Sequence, residues 1–159
     1  MNRRHFLITT AATTSLAALG TRAATNAPDE LVRNLIRAND ARIPGLLAKQ
    51  ERRAGHRWLG GLPNEHGLYT AQSASGFIVA LTCAACAPGG KYHHATELAE
   101  PLRLAVRYLL AAQYDDGTVD LNSTNFRSPP DTAFILEVMC PAYALLRASP
   151  APEFAAVAM

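Results

Sequence analysis

The stretch Thr70 to Ala87, TAQSASGFIVALTCAACA, decides the fold. Ala71, Ala74, Phe77, Ile78, Val79, Ala80, Leu81, Ala84 and Ala85 leave no side of a helical wheel for water, and a helix apolar nearly all round is buried. Gln72, Ser73, Ser75 and Thr82 interrupt it, so it falls short of the run of about 18 apolar residues that a membrane span needs. Gly76 and the serines of its first turns let a neighbouring backbone or a ligand come close.

Outward from this helix the chain alternates. Pro28 to about Arg53 reads as an amphipathic helix, with Asp29 and Glu30 favourable in its first turn. Leu31, Leu35 and Ile36 form its apolar stripe, Arg33 and Arg37 its wet side, and Pro44 is expected to break or kink it. After Pro88-Gly89-Gly90, Thr96 is a candidate cap for a third helix running to about Gln113. Its apolar face is Leu98, Leu102, Ala105, Val106, Leu109 and Leu110, and Glu100, Arg103 and Arg107 lie opposite. His93 and His94, in the turn before it, are expected to point apart into solvent. Pro130 to Arg147 forms a second helix with apolar residues on every face; Glu137 is its one acid, and Pro141 frees the Glu137 carbonyl.

An order of amphipathic, buried, amphipathic, buried fits one all-α domain of two α-hairpins, outer helices wet on one side and inner helices covered on both. A length of 159 residues with 49% hydrophobic and 18% charged content supports a single core. Low aromatic content and abundant alanine favour helices over a β-sandwich, and no stretch reads as a strand.

Two long polar loops enter the buried helices. Residues 54–69, AGHRWLGGLPNEHGLY, hold the only Trp, two histidines and Asn64-Glu65, far more than a spacer requires. Residues 114–137, YDDGTVDLNSTNFRSPPDTAFILE, begin with a helix-ending Asp115-Asp116-Gly117 turn and include a capping box from Ser128 to Asp131. Between these lies Asn122 to Arg127, a strip of hydrogen-bonding side chains. Polar groups near a helix N-terminus suit an anionic or hydroxyl-rich ligand.

Residues 1–23 read as an export signal. Arg3-Arg4 precedes Phe6-Leu7 and a mild apolar run to Leu19, with a small-residue cleavage site ending at Ala23; the pattern resembles a twin-arginine signal. Its removal takes away three arginines and no acid, leaving 12 basic and 13 acidic side chains in residues 24–159, net −1. That balance argues against nucleic acid as the main partner, and no membrane segment is expected in the mature chain. Cys83, Cys86 and Cys140 read as small core fillers, with a Cys83–Cys86 bridge open as an alternative. No metal site and no cofactor is assigned.

The segments WLGGLPNEHGLYTAQSASGF and QYDDGTVDLNSTNFRSPPDTAF resemble the N-terminal hairpins of secreted bacterial (α/α)-toroid carbohydrate-active proteins. That group includes heparinase II/III-type polysaccharide lyases and toroid glycoside hydrolases directed at uronic acids. The resemblance spans roughly Arg57 to Arg147. It implies an incomplete toroid, truncated at its C-terminus, with both long loops at one end of the ring. It also implies an exported, periplasmic or secreted protein that binds and cleaves an acidic polysaccharide or oligosaccharide and meets the twin-arginine translocation machinery through its signal.

For a lyase, the resemblance implies neutralisation of a uronate by Asn or His and proton abstraction by Tyr or His; Asn122, Asn125, His66 and Tyr69 are of those types. Hydrolysis requires two carboxylates facing each other across the sugar bond; Glu65, Asp116, Asp131 and Glu137 are the supply, of which the helix-ending turn claims Asp116 and the capping box Asp131. The expected catalytic set is therefore Glu65, His66, Tyr69 and Glu137. Substrate contacts are expected from Trp58 as a stacking platform, and from Asn64, Asn122, Asn125 and Arg127. The rival reading is a non-catalytic glycan-binding or helical scaffold protein.

Overall fold

The computed structural model describes residues 27–121 and 125–158. The export signal and Asn122 lie outside the described residues. Five α-helices follow in order: α1 (Ala27–Lys49), α2 (Ala71–Cys86), α3 (Ala99–Ala111), α4 (Pro129–Ala148) and α5 (Pro152–Ala155). A two-stranded antiparallel sheet, β1 (Val119–Leu121) with β2 (Asn125–Ser128), stands between α3 and α4.

Helix α2 is the hub, packed against α1, α3 and α4. Phe77, Ile78, Leu81, Ala84 and Ala85 point from it into a core shared with Ile43, Leu98, Leu102, Ala105, Leu146 and Phe154. Each large side chain sealed there contributes about 1.5–3 kcal/mol. Thr70 starts the helix as expected, its hydroxyl accepting from the Ser73 amide at 3.0 Å.

The first helix departs from expectation in two respects. It stops at Lys49, before Arg53, with Pro44 inside it and not breaking it. Its core seam is also displaced from Leu31 and Leu35, which lie in the open at 59% and 60% exposure, toward buried Ile43 with Leu46 and Leu47 beside it. Asn39 fixes that rotation, because its side-chain amide donates to the Ala80 carbonyl of α2 at 2.9 Å.

Thr96 is not a cap: a 3-10 turn, Thr96–Leu98, leads into α3, and Ala95 before it makes no side-chain cap bond. His93 and His94 are exposed as expected but do not point apart. Their rings lie 3.8 Å apart because His94 takes a left-handed φ of 58°.

The hairpin corrects the expectation of no sheet. Gly117 (φ 84°) closes the turn after α3, with its amide donating to the Tyr114 carbonyl. Val119, buried against Ala71 and Ile135, donates its amide to Thr132 Oγ1 at 3.0 Å, and the Thr132 hydroxyl donates to the Ser128 carbonyl at 2.7 Å. A single threonine of α4 thus ties both strands to that helix. Ser128 caps α4 as expected, its hydroxyl paired with the Asp131 carboxylate and its oxygen accepting from the Asp131 amide.

Helix α4 runs through Pro141 and buries only a narrow seam, Ile135, Ala142 and Leu146. Phe134, Leu136, Val138, Tyr143 and Leu145 all stand in the open. It shares the apolar composition of α2 and lacks the cover that α2 has.

Candidate functional site

The glycine-rich loop of residues 54–69 is anchored by residues just before it. Gln50, buried, donates its amide to the Pro101 carbonyl at 2.8 Å and to the Gly60 carbonyl at 3.2 Å. Glu51, also buried, exchanges main-chain bonds with Gly60 and Gly61 at 2.8 and 3.0 Å. Its carboxylate receives the Arg53 guanidinium at 2.5 and 2.9 Å and the Arg53 amide at 2.9 Å. These bonds, the Arg53 side chain first, hold the Glu51 carboxyl down to about 2 from 4.5. Neither Gln50 nor Glu51 was singled out by sequence, since both sit in the polar tail of an amphipathic pattern.

Trp58 is half-buried in an aromatic group. It stacks on Tyr69 at 5.6 Å, meets Tyr108 edge-on at 6.4 Å, and carries the Arg57 guanidinium 3.9 Å from its ring centroid. A ring engaged by three neighbours acts as the wedge holding the loop on α3. Tyr69 is held in the same group, and its bridge to Pro63 closes the tip of the loop.

The tip, residues 64–68, is an Asx turn: Asn64 Oδ1 accepts from the amides of His66 and Leu68, both at 2.9 Å. The turn presents His66 beside the start of α2. There Asn64, His66, Leu68, Thr70, Gln72 and Ser73 line a cleft of about 320 Å³ together with Leu121 of β1. The loop and the hairpin segment meet here. Glu65 is turned outward, its side chain 85% exposed and its carboxylate 3.4 Å from His66 Nε2.

Gln72 was not among the expected site residues. Its amide nitrogen and oxygen are both buried and, among the described residues, without a hydrogen-bond partner. A buried amide with unmet capacity costs about 1–3 kcal/mol. In the sequence its signal was a lone Gln in the first turn of an otherwise apolar helix.

The remaining candidates lie elsewhere. Asn125 is exposed at the start of β2. Arg127, at φ 50°, lies 4.3 Å over the Tyr114 ring and 3.5 Å from Asp116, and its amide donates to Asp120 at 2.8 Å. Tyr114 donates its hydroxyl to Asp120 at 2.8 Å, a bond that raises the phenol's pKa, and Thr118 lowers that of Asp116 through two hydrogen bonds. This group braces the hairpin. Glu137 is exposed on α4 and does not line the cleft.

All three cysteines are free thiols; Cys83 and Cys140 depart from the core-filler reading in being exposed, whereas Cys86 is half-buried and packs against the core. Cys83 and Cys86 border a second, apolar groove between α1 and α2. Among the described residues no helix is long and apolar enough to cross a membrane. No protein-family model, curated protein or solved structure matches the chain.

Proposed function

We propose that this chain is an exported glycan-binding protein of the (α/α)-toroid type, whose cleft between the residue 64–73 segment and β1 receives one unit of an acidic polysaccharide or oligosaccharide. The observation that carries this reading is Gln72. A primary amide offers two donors and an acceptor, and vicinal hydroxyls of a sugar both donate and accept, so a rotamer change that brings the buried amide to the cleft lets one ring edge meet its unmet capacity. His66 and the N-terminal turn of α2 supply donors and partial positive charge for a uronate carboxylate.

Among the described residues no carboxylate pair faces across this cleft, which favours binding over hydrolysis. A lyase is the second reading, because His66 and Asn64 border the same space and have the types needed to take a proton and neutralise a uronate.

The test is calorimetric titration of the full chain with oligogalacturonate and oligoglucuronate, with unsaturated-uronate absorbance and reducing ends followed in parallel. Saturable binding without new reducing ends is expected, and Gln72→Leu should weaken it at least tenfold with helicity unchanged. Absorbance that grows with time and is lost in His66→Ala would replace binding with lyase activity. Absence of binding to either polymer, or indifference to Gln72→Leu, would leave the scaffold reading.

A further inference from the structure

We propose that the pocket between the residue 56–59 segment and α3 binds a tetrahedral dianion: inorganic phosphate or sulfate, or the head of a phosphate monoester. It shares no lining residue with the Gln72 cleft, so the proposal stands apart from the carbohydrate reading. Its volume, about 170 Å³, is below that of sites for drug-sized ligands and suits one oxyanion with its nearest waters.

The charge of the pocket comes from both of its sides. His56 and Arg57 of the loop and Arg107 of α3 line it, and among the described residues no carboxylate does. Neither arginine is spent on an acid: among the described residues Arg57 and Arg107 take part in no ion pair. Arg103, one turn earlier on α3, differs on both counts, being paired with Glu100 and outside the pocket. The Arg57 guanidinium rests 3.9 Å from the Trp58 ring centroid, a contact that orients the planar group before any ligand arrives. His56 Nδ1 accepts from the Trp58 amide at 3.3 Å, so the neutral ring carries its proton on Nε2, a donor that the imidazolium keeps. Glu51, 3.4 Å from the same Nδ1, is held by Arg53 and does not line the pocket.

Leu59, Leu104 and Ala111 supply apolar wall. Cations set among apolar side chains act through a lower effective dielectric than on open surface, and so focus positive potential into the pocket. Donors reaching in from two segments select a tetrahedral dianion, which accepts in several directions and carries the charge that two guanidinium groups balance. A carboxylate is planar and is satisfied by one of them.

The experiment follows the arginine side-chain N–H signals of the full chain by NMR while inorganic sulfate or phosphate replaces chloride at constant ionic strength. Saturable shifts at Arg57 and Arg107, with one equivalent bound, are expected. Arg107→Gln should weaken binding about tenfold. Arg103→Gln removes the same charge outside the pocket and should leave the affinity within about twofold. Arg57→Gln should act like Arg107→Gln; should it disturb Trp58 and the loop, the contrast between Arg107 and Arg103 still decides. Methyl phosphate separates the sources: binding that matches the inorganic ions assigns the pocket to a group carried on a larger molecule, and its exclusion assigns the pocket to the free ion. Absence of saturation or equal losses in Arg107→Gln and Arg103→Gln would overturn the proposal, since the arginines would then act only as diffuse surface charge. So would acetate binding more tightly than sulfate.

Discussion

Gly60 lies directly against the main chain of Leu104: a Cβ placed on it would stand 2.0 Å from the Leu104 carbonyl oxygen and 2.5 Å from the carbonyl carbon. The loop carrying Trp58 can sit on α3 only because that position has no side chain. Gly60 also has φ 90°, so alanine would meet both backbone strain and a clash with main chain that cannot rotate aside. Gly60→Ala should cost about 3 kcal/mol or more in urea unfolding. Gly55→Ala, at φ 76° with nothing within 4 Å, should show the strain alone, about 1 kcal/mol.

Thr82 is fully buried on α2, and among the described residues its hydroxyl has no partner. Valine has the same shape without the unmet group. Thr82→Val should raise stability by about 1 kcal/mol, read as a higher denaturant midpoint at unchanged slope.

Glu51 has its carboxyl pKa lowered on folding, so its contribution to stability is present above 4.5 and disappears as pH falls from there toward about 2. Glu51→Gln should therefore be less stable than wild type at pH 7, with the difference shrinking below pH 4.5. Paired urea titrations at pH 7 and pH 3 check this. A gap that stays constant would mean the Arg53 contact does not depend on the charge.

Asp120 serves both ends of the hairpin, accepting from Tyr114 and from the Arg127 amide. Tyr114→Phe should cost about 1 kcal/mol. The local consequence is faster hydrogen exchange at the Arg127 amide, with the amides of α2 unaffected.

The open apolar face of α4 should make the chain self-associate. Phe134→Lys combined with Leu136→Glu, both at exposed positions, should raise the solubility limit severalfold and leave the melting temperature within a few degrees. A wild-type chain that sediments as a monomer at high concentration would contradict this.

The sequence by itself determined the helices. All-round apolarity placed α2 at the centre, Thr70 and Ser128 marked helix starts, and Gly117 marked the turn after α3, because periodicity, capping and left-handed turns are local properties of the chain. Tertiary structure decided what those helices face. Leu31 and Leu35 form as regular a stripe as any in the chain, yet Asn39 bonded to Ala80 turns α1 so that Ile43 enters the core. The three- and four-residue strands of the hairpin carry no pattern long enough to read; they hold because Thr132 and Tyr114 reach them from other segments. His66 and Asn64 were legible as site candidates because glycines deny their loop regular structure. Gln72 became a candidate only once folding had buried its amide without a partner, which is a property of its surroundings and cannot be written in the residue itself.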